Sequence, residues 1–336
     1  MLTTNYALPG YLNLVFMQAG ARTPVSGYVS EASMNEWLRF KTDSQKAEVK
    51  EYLASKSATE IAEMQIQDNL DQLFEYMDRA TISYAGYQML ITPETYTHGF
   101  SPVAHDYPLH ENDKFMKQLQ DKCATLGVWL VVGAYYQFEG DDEARNVAIT
   151  INDEGKVVNI YAKAHPWNPA EPTHPGMGEG LMPFDGPEGS KISTIICADG
   201  DYHEMWDLPR QNGANLVIRI SAYMDPYQEG TMITNHEAAY HNNFYVAYTN
   251  LAGRDDGYQW FGHSGLYAPG GELLQHSDSK DAEMFMATFN PREASYLQNS
   301  SMMGDLGYLN DHRGGANPNA GDHDYIGFKG LDSRKD

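Results

Sequence analysis

The 336-residue sequence is poor in cysteine, in positive charge and in long apolar runs. Its two cysteines, Cys123 and Cys197, are too few for the disulfide framework of a small secreted domain. No apolar run reaches the roughly 18 residues that a membrane helix requires. Residues 1–10 also lack the basic and apolar regions of a secretory signal. These absences predict a cytoplasmic protein that has no membrane partner and keeps its thiols reduced.

Basic residues are outnumbered by acidic residues, 23 against 46, so the formal net charge is −23 at pH 7. A surface of this sign repels nucleic acid and anionic lipid. The 12 histidines are scattered, with no HExxH or CxxC spacing, and no glycine run matches a phosphate-binding loop. We therefore expect no nucleic-acid partner, no metal and no cofactor. The acidity by itself indicates solubility rather than a cationic ligand.

Apolar runs of strand length alternate with amphipathic segments along the chain. Strands are predicted over residues 11–18, 89–92, 128–134, 147–152, 156–160, 191–197, 215–221 and 244–250. Helices are predicted over residues 58–77, 113–126 and 233–243, and a last pair of strands surrounds the turn at residues 269–271. Strands that alternate with helices, together with antiparallel pairs, predict an α/β layered fold in one domain.

Two segments differ from this pattern. Residues 30–57 are polar and form an insertion before the helix predicted at residues 58–77. Residues 302–336 are rich in Gly, Asn and Asp, which predicts an extended C-terminal arm. The folded domain is therefore expected to span residues 1–301.

Three chemically useful side chains each follow a predicted strand. Glu94 comes after the apolar MLIT segment and Pro93, Lys163 follows a strand pair, and Cys197 ends the STIIC strand before an Ala-Asp-Gly turn. A strand-to-helix turn exposes the residue at its apex and directs backbone N–H groups to the same point. Taken singly, each residue has an ordinary interpretation as a solvated glutamate, a surface lysine or a buried inert thiol.

The loop after Lys163, with the sequence AKAHPWNPAEP, is stiff for a simple connection. It contains three prolines and carries Trp167 and Glu171. Trp167 is interpreted either as a wall of a pocket or as a core side chain. Asp199, which lies two residues after Cys197, either contacts the site or caps the following helix.

Together these segments resemble the nitrilase superfamily of carbon–nitrogen hydrolases, and within it the aliphatic amidase and formamidase branch. The similar segments are YAKAHPWNPAEP, ICADG, LVIRISAYM, NFYVAYTNLAG, FGHSG and the HRGG at residues 312–315. The resemblance covers about residues 80 to 320. It implies a four-layer α-β-β-α sandwich that hydrolyses a small-molecule amide to acid and ammonia. It also implies a homo-oligomer, joined through a helical face and the C-terminal arm.

The resemblance further implies a role for each residue of the site. Cys197 is the nucleophile that forms a thioester, and Glu94 is the general base. Lys163 and the backbone N–H of Ala198 stabilise the oxyanion. Glu171 corresponds to the second glutamate of the branch, which orients the substrate amide. Two carboxylates beside one ammonium are expected to push each other's pKa values apart, so that acid and base roles coexist.

Two positions depart from the branch, in which aromatic residues usually follow the catalytic glutamate and the EP of the lysine loop. Here Thr95 and Thr173 stand at those positions. Smaller hydroxyl side chains are expected to enlarge or polarise the substrate pocket. A hydrolase of a bulkier or N-carbamoyl amide is therefore an alternative, and a catalytically silent scaffold is the alternative outside enzymes. Nitrile hydrolysis is disfavoured by the second glutamate and the PWNP loop.

Overall fold

The computed structural model describes residues 9–21, 42–44, 47, 51, 55–99, 104–167, 171, 173, 175–176, 180–255 and 258–299. The expected C-terminal arm, the HRGG segment and most of the 30–57 insertion lie outside these residues. None of the helices in the described ranges is long and apolar enough to cross a membrane.

The strands of the described chain form two large sheets and one small ribbon. In chain order they are β1 (Leu12–Gln18), β2 (Met89–Ile91), β3 (Trp129–Tyr136), β4 (Arg145–Ile151), β5 (Val157–Ala162), β6 (Phe184–Asp185), β7 (Lys191–Ile196), β8 (Leu216–Ser221), β9 (Tyr245–Asn250), β10 (Ala252–Asp255), β11 (Tyr258–Phe261), β12 (Gly265–Tyr267), β13 (Leu273–His276) and β14 (Glu283–Phe289). The helices are α1 (Ala58–Ser83), α2 (Lys114–Leu126), α3 (Glu204–Gln211), α4 (Gln228–Asn242) and α5 (Pro291–Asn299).

The predicted elements are present, with several ends displaced. Helix α1 continues to Ser83 instead of ending at Met77, and α4 begins at Gln228 instead of Ile233. Strand β7 ends one residue earlier than predicted, so Cys197 begins a 3-10 turn rather than ending a strand. The sequence pattern does not predict β6, β10, β11, β14 or α5, which are short or lie at the edges of the fold.

Local signals explain the ends of the two long helices on the outer face of the first sheet. Ser57 and Glu60 form a capping box at the start of α1, which satisfies backbone N–H groups that have no partner within the helix. Asp113 caps α2 by accepting a hydrogen bond from the N–H of Phe115. Gly127 ends α2 in the left-handed conformation, with φ of 65°.

The two six-stranded sheets have the orders β14-β1-β2-β3-β4-β5 and β13-β12-β9-β8-β7-β6. Alternate residues of β1 face opposite sides, as the period of a strand requires. Leu14 and Phe16 belong to the core shared with the second sheet, whereas Val15 and Met17 belong to the core beneath α1 and α2. The second sheet is covered in turn by α3 and α4, so the chain forms the four-layer α-β-β-α sandwich that was predicted.

The strand directions bring the ends of several strands to one edge of this sandwich. In the first sheet β2 and β3 are parallel, and β4 reverses, so the carboxyl ends of β2 and β5 lie beside the start of β4. In the second sheet β7, β8 and β9 are parallel and end together. The backbone N–H of Glu94 donates to the carbonyl of Ser221 at 3.4 Å and joins the two edges.

Candidate active site

A cavity of about 450 Å³ opens where the ends of the two sheets meet. Its walls come from the segments after β2, β5, β7 and β8. The described residues that line it are Glu94, Lys163, Trp167, Glu171, Cys197, Ala198, Asp201, Ala222, Tyr223, Met224 and Tyr227. The four charged or nucleophilic side chains predicted for the site therefore reach one cavity, together with Trp167 and Ala198.

Glu94 lies at the floor of the cavity and is fully buried. Its Oε1 accepts hydrogen bonds from Lys163 Nζ and from Asn146 Nδ2, both at 2.7 Å. Its Oε2 accepts a hydrogen bond from the backbone N–H of Ala222 at 2.7 Å. Ala222 follows β8 of the other sheet, so the carboxyl group is held from both sheets at once.

The backbone around Glu94 passes directly over β3 at Gly133. A Cβ atom at Gly133 would lie 2.4 Å from the carbonyl oxygen of Pro93 and 2.5 Å from the backbone nitrogen of Thr95. Such distances are shorter than van der Waals contact, so only glycine fits there. The close approach lets Glu94 point into the cavity from the end of β2.

Lys163 lies between two carboxyl groups. Its Nζ is 2.7 Å from Glu94 Oε1 and 2.6 Å from Glu171 Oε2, and all three side chains are buried. Asn146, near the start of β4, donates to Glu94 Oε1 at 2.7 Å and to Glu171 Oε1 at 2.5 Å. Asn146 was not predicted from the sequence, because it precedes the strand predicted over residues 147–152 and its contacts with the two carboxyl groups arise only in the fold.

The two carboxyl groups differ in their affinity for a proton. Burial raises the pKa of Glu94, and the charge of Lys163 offsets this only in part. Burial acts on Glu171 as well, but Lys163 and hydrogen bonds from Asn146 and Trp167 outweigh it and lower the pKa. The two pKa values therefore shift in opposite directions, and for Glu171 the cause is Lys163 and the hydrogen bonds rather than the other carboxyl group. Burial opposes the charge of Lys163, but both carboxylates overcome it and hold the pKa of Lys163 well above its usual value.

Cys197 is the first residue of the 3-10 turn Cys197–Asp201 and has a positive φ of 50°. This conformation is uncommon for a residue with a side chain, and it persists only where surrounding contacts hold it. Burial, and then the neighbouring Glu94, raise the pKa of the thiol well above its ordinary value. The charge of Lys163 acts in the opposite direction but does not outweigh them. The resting thiol is therefore neutral.

Arg219 holds the backbone of Cys197 in place. The guanidinium donates from Nε at 3.1 Å and from Nη2 at 2.8 Å to the carbonyl oxygen of Cys197, and Arg219 is fully buried. Its Nη1 donates to Thr234 Oγ1 at 3.0 Å and to Asn235 Oδ1 at 2.8 Å. The sequence analysis assigned no role to Arg219, and a charged residue in the apolar strand LVIRIS was the available signal.

Asp199 fits neither of its two interpretations in full, because it does not line the cavity and the N-cap residue of the following helix α3 is His203. Its Oδ2 accepts hydrogen bonds from the N–H of Ile196 at 3.0 Å and from the hydroxyl of Tyr161 at 2.7 Å. Its Oδ1 accepts from the backbone N–H and Nδ1 of His165 at 2.9 and 3.0 Å. Asp199 thus caps its own turn and ties that turn to the lysine loop.

The remaining predicted residues lie around Glu171 and Glu94. Trp167 lines the cavity, and its backbone N–H donates to Glu171 Oε2 at 3.0 Å. Thr173 donates to Glu171 Oε1 at 3.3 Å, and Thr95 is fully buried with no hydrogen-bond partner for its hydroxyl among the described residues. Neither threonine belongs to the lining, so contact of Thr95 or Thr173 with substrate stays a prediction.

Within the described ranges no group of three or more His, Cys, Asp or Glu side chains is arranged to hold a metal ion.

The lining of the cavity also contains residues that were not predicted, namely Asp201, Ala222, Tyr223, Met224 and Tyr227. They come from the turn after β7 and from the loop after β8. Ala222, Tyr223 and Met224 end the LVIRISAYM segment of the family resemblance, which was the available signal, whereas only the fold brings Asp201 and Tyr227 to the site.

Comparison with known proteins places the chain in a family. A family model for carbon-nitrogen hydrolases matches residues 54–296. The formamidase of Helicobacter acinonychis (strain Sheeba) is 29% identical over 268 residues, which cover 76% of this chain and 79% of that protein.

Solved structures agree with this match. Saccharomyces cerevisiae Nit3, a member of branch 10 of the nitrilase superfamily, has a TM-score of 0.67 at 17% identity and covers 86% of this chain and 93% of its own. A variant of the amidase from Nesterenkonia sp. AN1 has a TM-score of 0.63 at 20% identity, with coverage of 88% and 96%. That variant shows covalent addition of the acetamide moiety of fluoroacetamide at its active-site cysteine.

The TM-scores of 0.67 and 0.63 show that this chain shares the fold of both structures. The family model covers residues 54–296, which is most of the chain. The chain belongs to the carbon-nitrogen hydrolase family.

Proposed function

We propose that this protein hydrolyses a primary carboxylic amide to a carboxylic acid and ammonia through a thioester on Cys197. The observation that carries the proposal is the position of Lys163 Nζ, held between Glu94 Oε1 and Glu171 Oε2 in the wall of a cavity that Cys197 also lines. The activity of the formamidase relative and the covalent adduct of the Nesterenkonia amidase are consistent with this chemistry.

The first half of the reaction transfers the acyl group to sulfur. Glu94 accepts the proton of the neutral Cys197 thiol as the sulfur attacks the amide carbon, because a carboxyl group with a raised pKa is a stronger base. The electron pair of the carbonyl bond moves to oxygen, where Lys163 and the N–H of Ala198 stabilise the negative charge. The carbon–nitrogen bond then breaks, and Glu94 returns the proton to the leaving ammonia.

The second half releases the acid. Glu94 removes a proton from a water molecule, which attacks the thioester carbon, and the carbon–sulfur bond breaks with return of the proton to Cys197. Glu171 is ionised because its pKa is lowered, and it keeps Lys163 fixed with 2.6 Å between Oε2 and Nζ. We assign to Glu171 the orientation of the substrate amide, because the N–H groups of the amide can donate hydrogen bonds to this carboxylate in the cavity wall.

A panel of primary amides tests the proposal. Purified protein is expected to release ammonia from at least one of formamide, acetamide, propionamide and larger primary amides, and Cys197→Ala is expected to abolish the release. Cys123→Ala is the matched control, because Cys123 is buried in α2 and burial raises the pKa of its thiol to about 12. Activity that survives Cys197→Ala would contradict the mechanism. Inactivity towards every amide would favour the silent scaffold.

The same panel, extended by an N-carbamoyl compound, separates the alternatives in substrate. Thr95 and Thr173 lie outside the described lining, whose aromatic side chains are Trp167, Tyr223 and Tyr227. A bulkier amide would be identified by a higher kcat/KM than that of acetamide. An N-carbamoyl substrate would release carbon dioxide together with ammonia, whereas a simple amide releases ammonia alone.

We also propose that the enzyme acts in the cytoplasm as a homo-oligomer. Both cysteines are free and buried, as suits a reducing compartment. The proposal of an oligomer comes from the resemblance to the amidase branch.

A further inference from the structure

One carboxyl group in the cavity has no part in the proposed mechanism. Asp201 is the last residue of the turn that begins at Cys197, and it lines the cavity with that residue. Its side chain is 52% exposed, whereas those of Glu94 and Glu171 are almost fully buried. Asp201 therefore presents negative charge to the solvent-accessible part of the cavity, away from the buried floor.

Contacts on one side hold the Asp201 carboxylate in this position. Oδ2 accepts a hydrogen bond from the hydroxyl of Tyr223 at 2.7 Å, and Oδ1 lies 3.4 Å from Nη2 of the buried Arg219. A carboxylate offers about four acceptor sites on its two oxygens. Acceptor capacity thus remains for a donor that enters the cavity.

The described lining offers no cation to balance a negatively charged substrate. Lys163 is its only cationic side chain, and that ammonium is already bound to both Glu94 and Glu171. Arg219 is fully buried behind Cys197 and bonds to the carbonyl of that residue. In the sequence, residues 164–183 after Lys163 contain no Lys or Arg, and the whole chain carries a net charge of −23.

We propose that Asp201 forms a subsite for the far end of the acyl chain, which favours primary amides that carry a positively charged amino group and rejects those that carry a carboxylate. The inference rests on the proposed amide hydrolysis and adds the charge of the substrate to it. A protonated amine donates a hydrogen bond to Asp201 and gains from its charge. A carboxylate at the same point meets a like charge, and the described lining holds no cation other than the paired Lys163.

The test uses amides that differ only at the far end. In each set the acyl chain ends in a methyl, an ammonium or a carboxylate group, with one to four methylene groups before it, and kcat/KM is measured for wild type and Asp201→Asn. At the acyl-chain length that is cleaved best, the kcat/KM of the ammonium amide is expected to exceed that of the methyl amide. Asp201→Asn is expected to lower the ratio of the two about fivefold, as an ion pair that is partly exposed permits. The carboxylate amide is expected to be at least about tenfold poorer than the methyl amide in wild type.

Asp185→Asn is the matched control, because Asp185 lies in β6 outside the described lining and its side chain is 86% exposed. This variant is expected to keep the wild-type ratio. If Asp201→Asn fails to fold, the wild-type ratio at 0.05 M and 0.5 M salt replaces it. Salt screens a charge that is partly exposed, so the preference for ammonium is expected to shrink at the higher concentration.

Several results would overturn the subsite. They are a ratio unchanged by Asp201→Asn, a wild-type ratio insensitive to salt where the variant cannot be made, and a carboxylate amide cleaved as fast as its methyl counterpart. In these cases the neutral amides are still cleaved, so the proposed function stands. If no neutral amide is cleaved either, the proposed function fails and the subsite fails with it.

Discussion

At the scale of single residues, the site depends on one ammonium group shared by two unequal carboxyl groups. Lys163 is fully enclosed, and removing one partner of a buried pair of charges commonly costs about 3–5 kcal/mol, because the other charge is left without compensation. The same arrangement gives Glu94 a raised pKa and Glu171 a lowered one. The site therefore holds one group that can exchange a proton and one that stays charged.

The raised pKa of Glu94 predicts the acid side of the pH profile. Below that pKa the carboxyl group is protonated and cannot accept the proton of Cys197, so kcat/KM falls as the pH decreases. The fall is expected above pH 4.5, the ordinary value for a glutamate, because burial shifts the pKa upward. Glu94→Gln is expected to lower kcat/KM about 10³-fold and to remove this limb. A wild-type profile that stays flat down to pH 4.5 would contradict the assignment of the base.

Arg219 is predicted to act as a positioning residue through the backbone of Cys197. Arg219→Lys keeps the positive charge but replaces a planar group, which donates from two nitrogens to one carbonyl, by a single ammonium. We expect kcat to fall about 100-fold, because small displacements of reacting groups are costly, while KM changes little. Arg79→Lys, at an exposed position on α1, is the control.

The readouts for Arg219→Lys are kcat and KM for one amide, the melting temperature, and the rate of alkylation of Cys197 by iodoacetamide. Alkylation needs the thiol but no oxyanion site, so a positioning role predicts a much smaller loss in alkylation than in turnover. Equal losses in both rates would instead point to a general loss of structure.

At the scale of elements, the site depends on how closely the strand ends approach one another. The segment after β2 crosses β3 at Gly133, and its backbone also bonds to the end of β8 in the second sheet. The floor of the cavity is thus built where two sheets and three chain segments meet. A change in the spacing of the strands there would move Glu94 relative to Cys197.

A pair of glycine substitutions tests this element-level argument. Gly133→Ala places a Cβ atom 2.4 Å from the Pro93 carbonyl oxygen, so we expect a loss of about 1–3 kcal/mol in the free energy of unfolding, together with lower kcat. At Gly230, in helix α4, a Cβ atom would meet nothing within 4 Å. Gly230→Ala is expected to stabilise the protein by about 0.5–1 kcal/mol. Urea denaturation measures the free energy of unfolding of both variants. Equal changes in the two variants would contradict the role assigned to the close approach at Gly133.

At the scale of the whole molecule, the four-layer sandwich places a cleft at one end of two sheets whose strands end together. The chain carries a net charge of −23, so the field outside this cleft attracts cations and repels anions before any contact is made. The global charge and Asp201 therefore act in the same direction on a charged substrate.

The proposed homo-oligomer is a prediction for the whole molecule. The chain has a mass of 37.7 kDa, so light scattering during size-exclusion chromatography is expected to give a whole-number multiple of that value. Removal of residues 302–336 is expected to weaken the assembly, since the resemblance assigns this segment to contacts between subunits. A full-length protein that elutes as a single chain at micromolar concentration would contradict the prediction.

Sequence periodicity alone determined most of the elements and the first members of the site. The buried runs at β2, β7 and β8 are readable because each strand repeats a local pattern, and Glu94, Lys163 and Cys197 stand out because each follows such a run. The resemblance to a family then supplied the four layers and a role for each of these residues.

Only the tertiary structure decided which further side chains complete the site. Asn146 reaches Glu94 because β4 reverses direction beside β3, and Arg219 reaches Cys197 because β8 lies beside β7. Asp199 could be read in two ways until Tyr161 and His165 were placed on its two oxygens. Such contacts join residues that are distant in sequence, and a local pattern of polar and apolar residues carries no record of them.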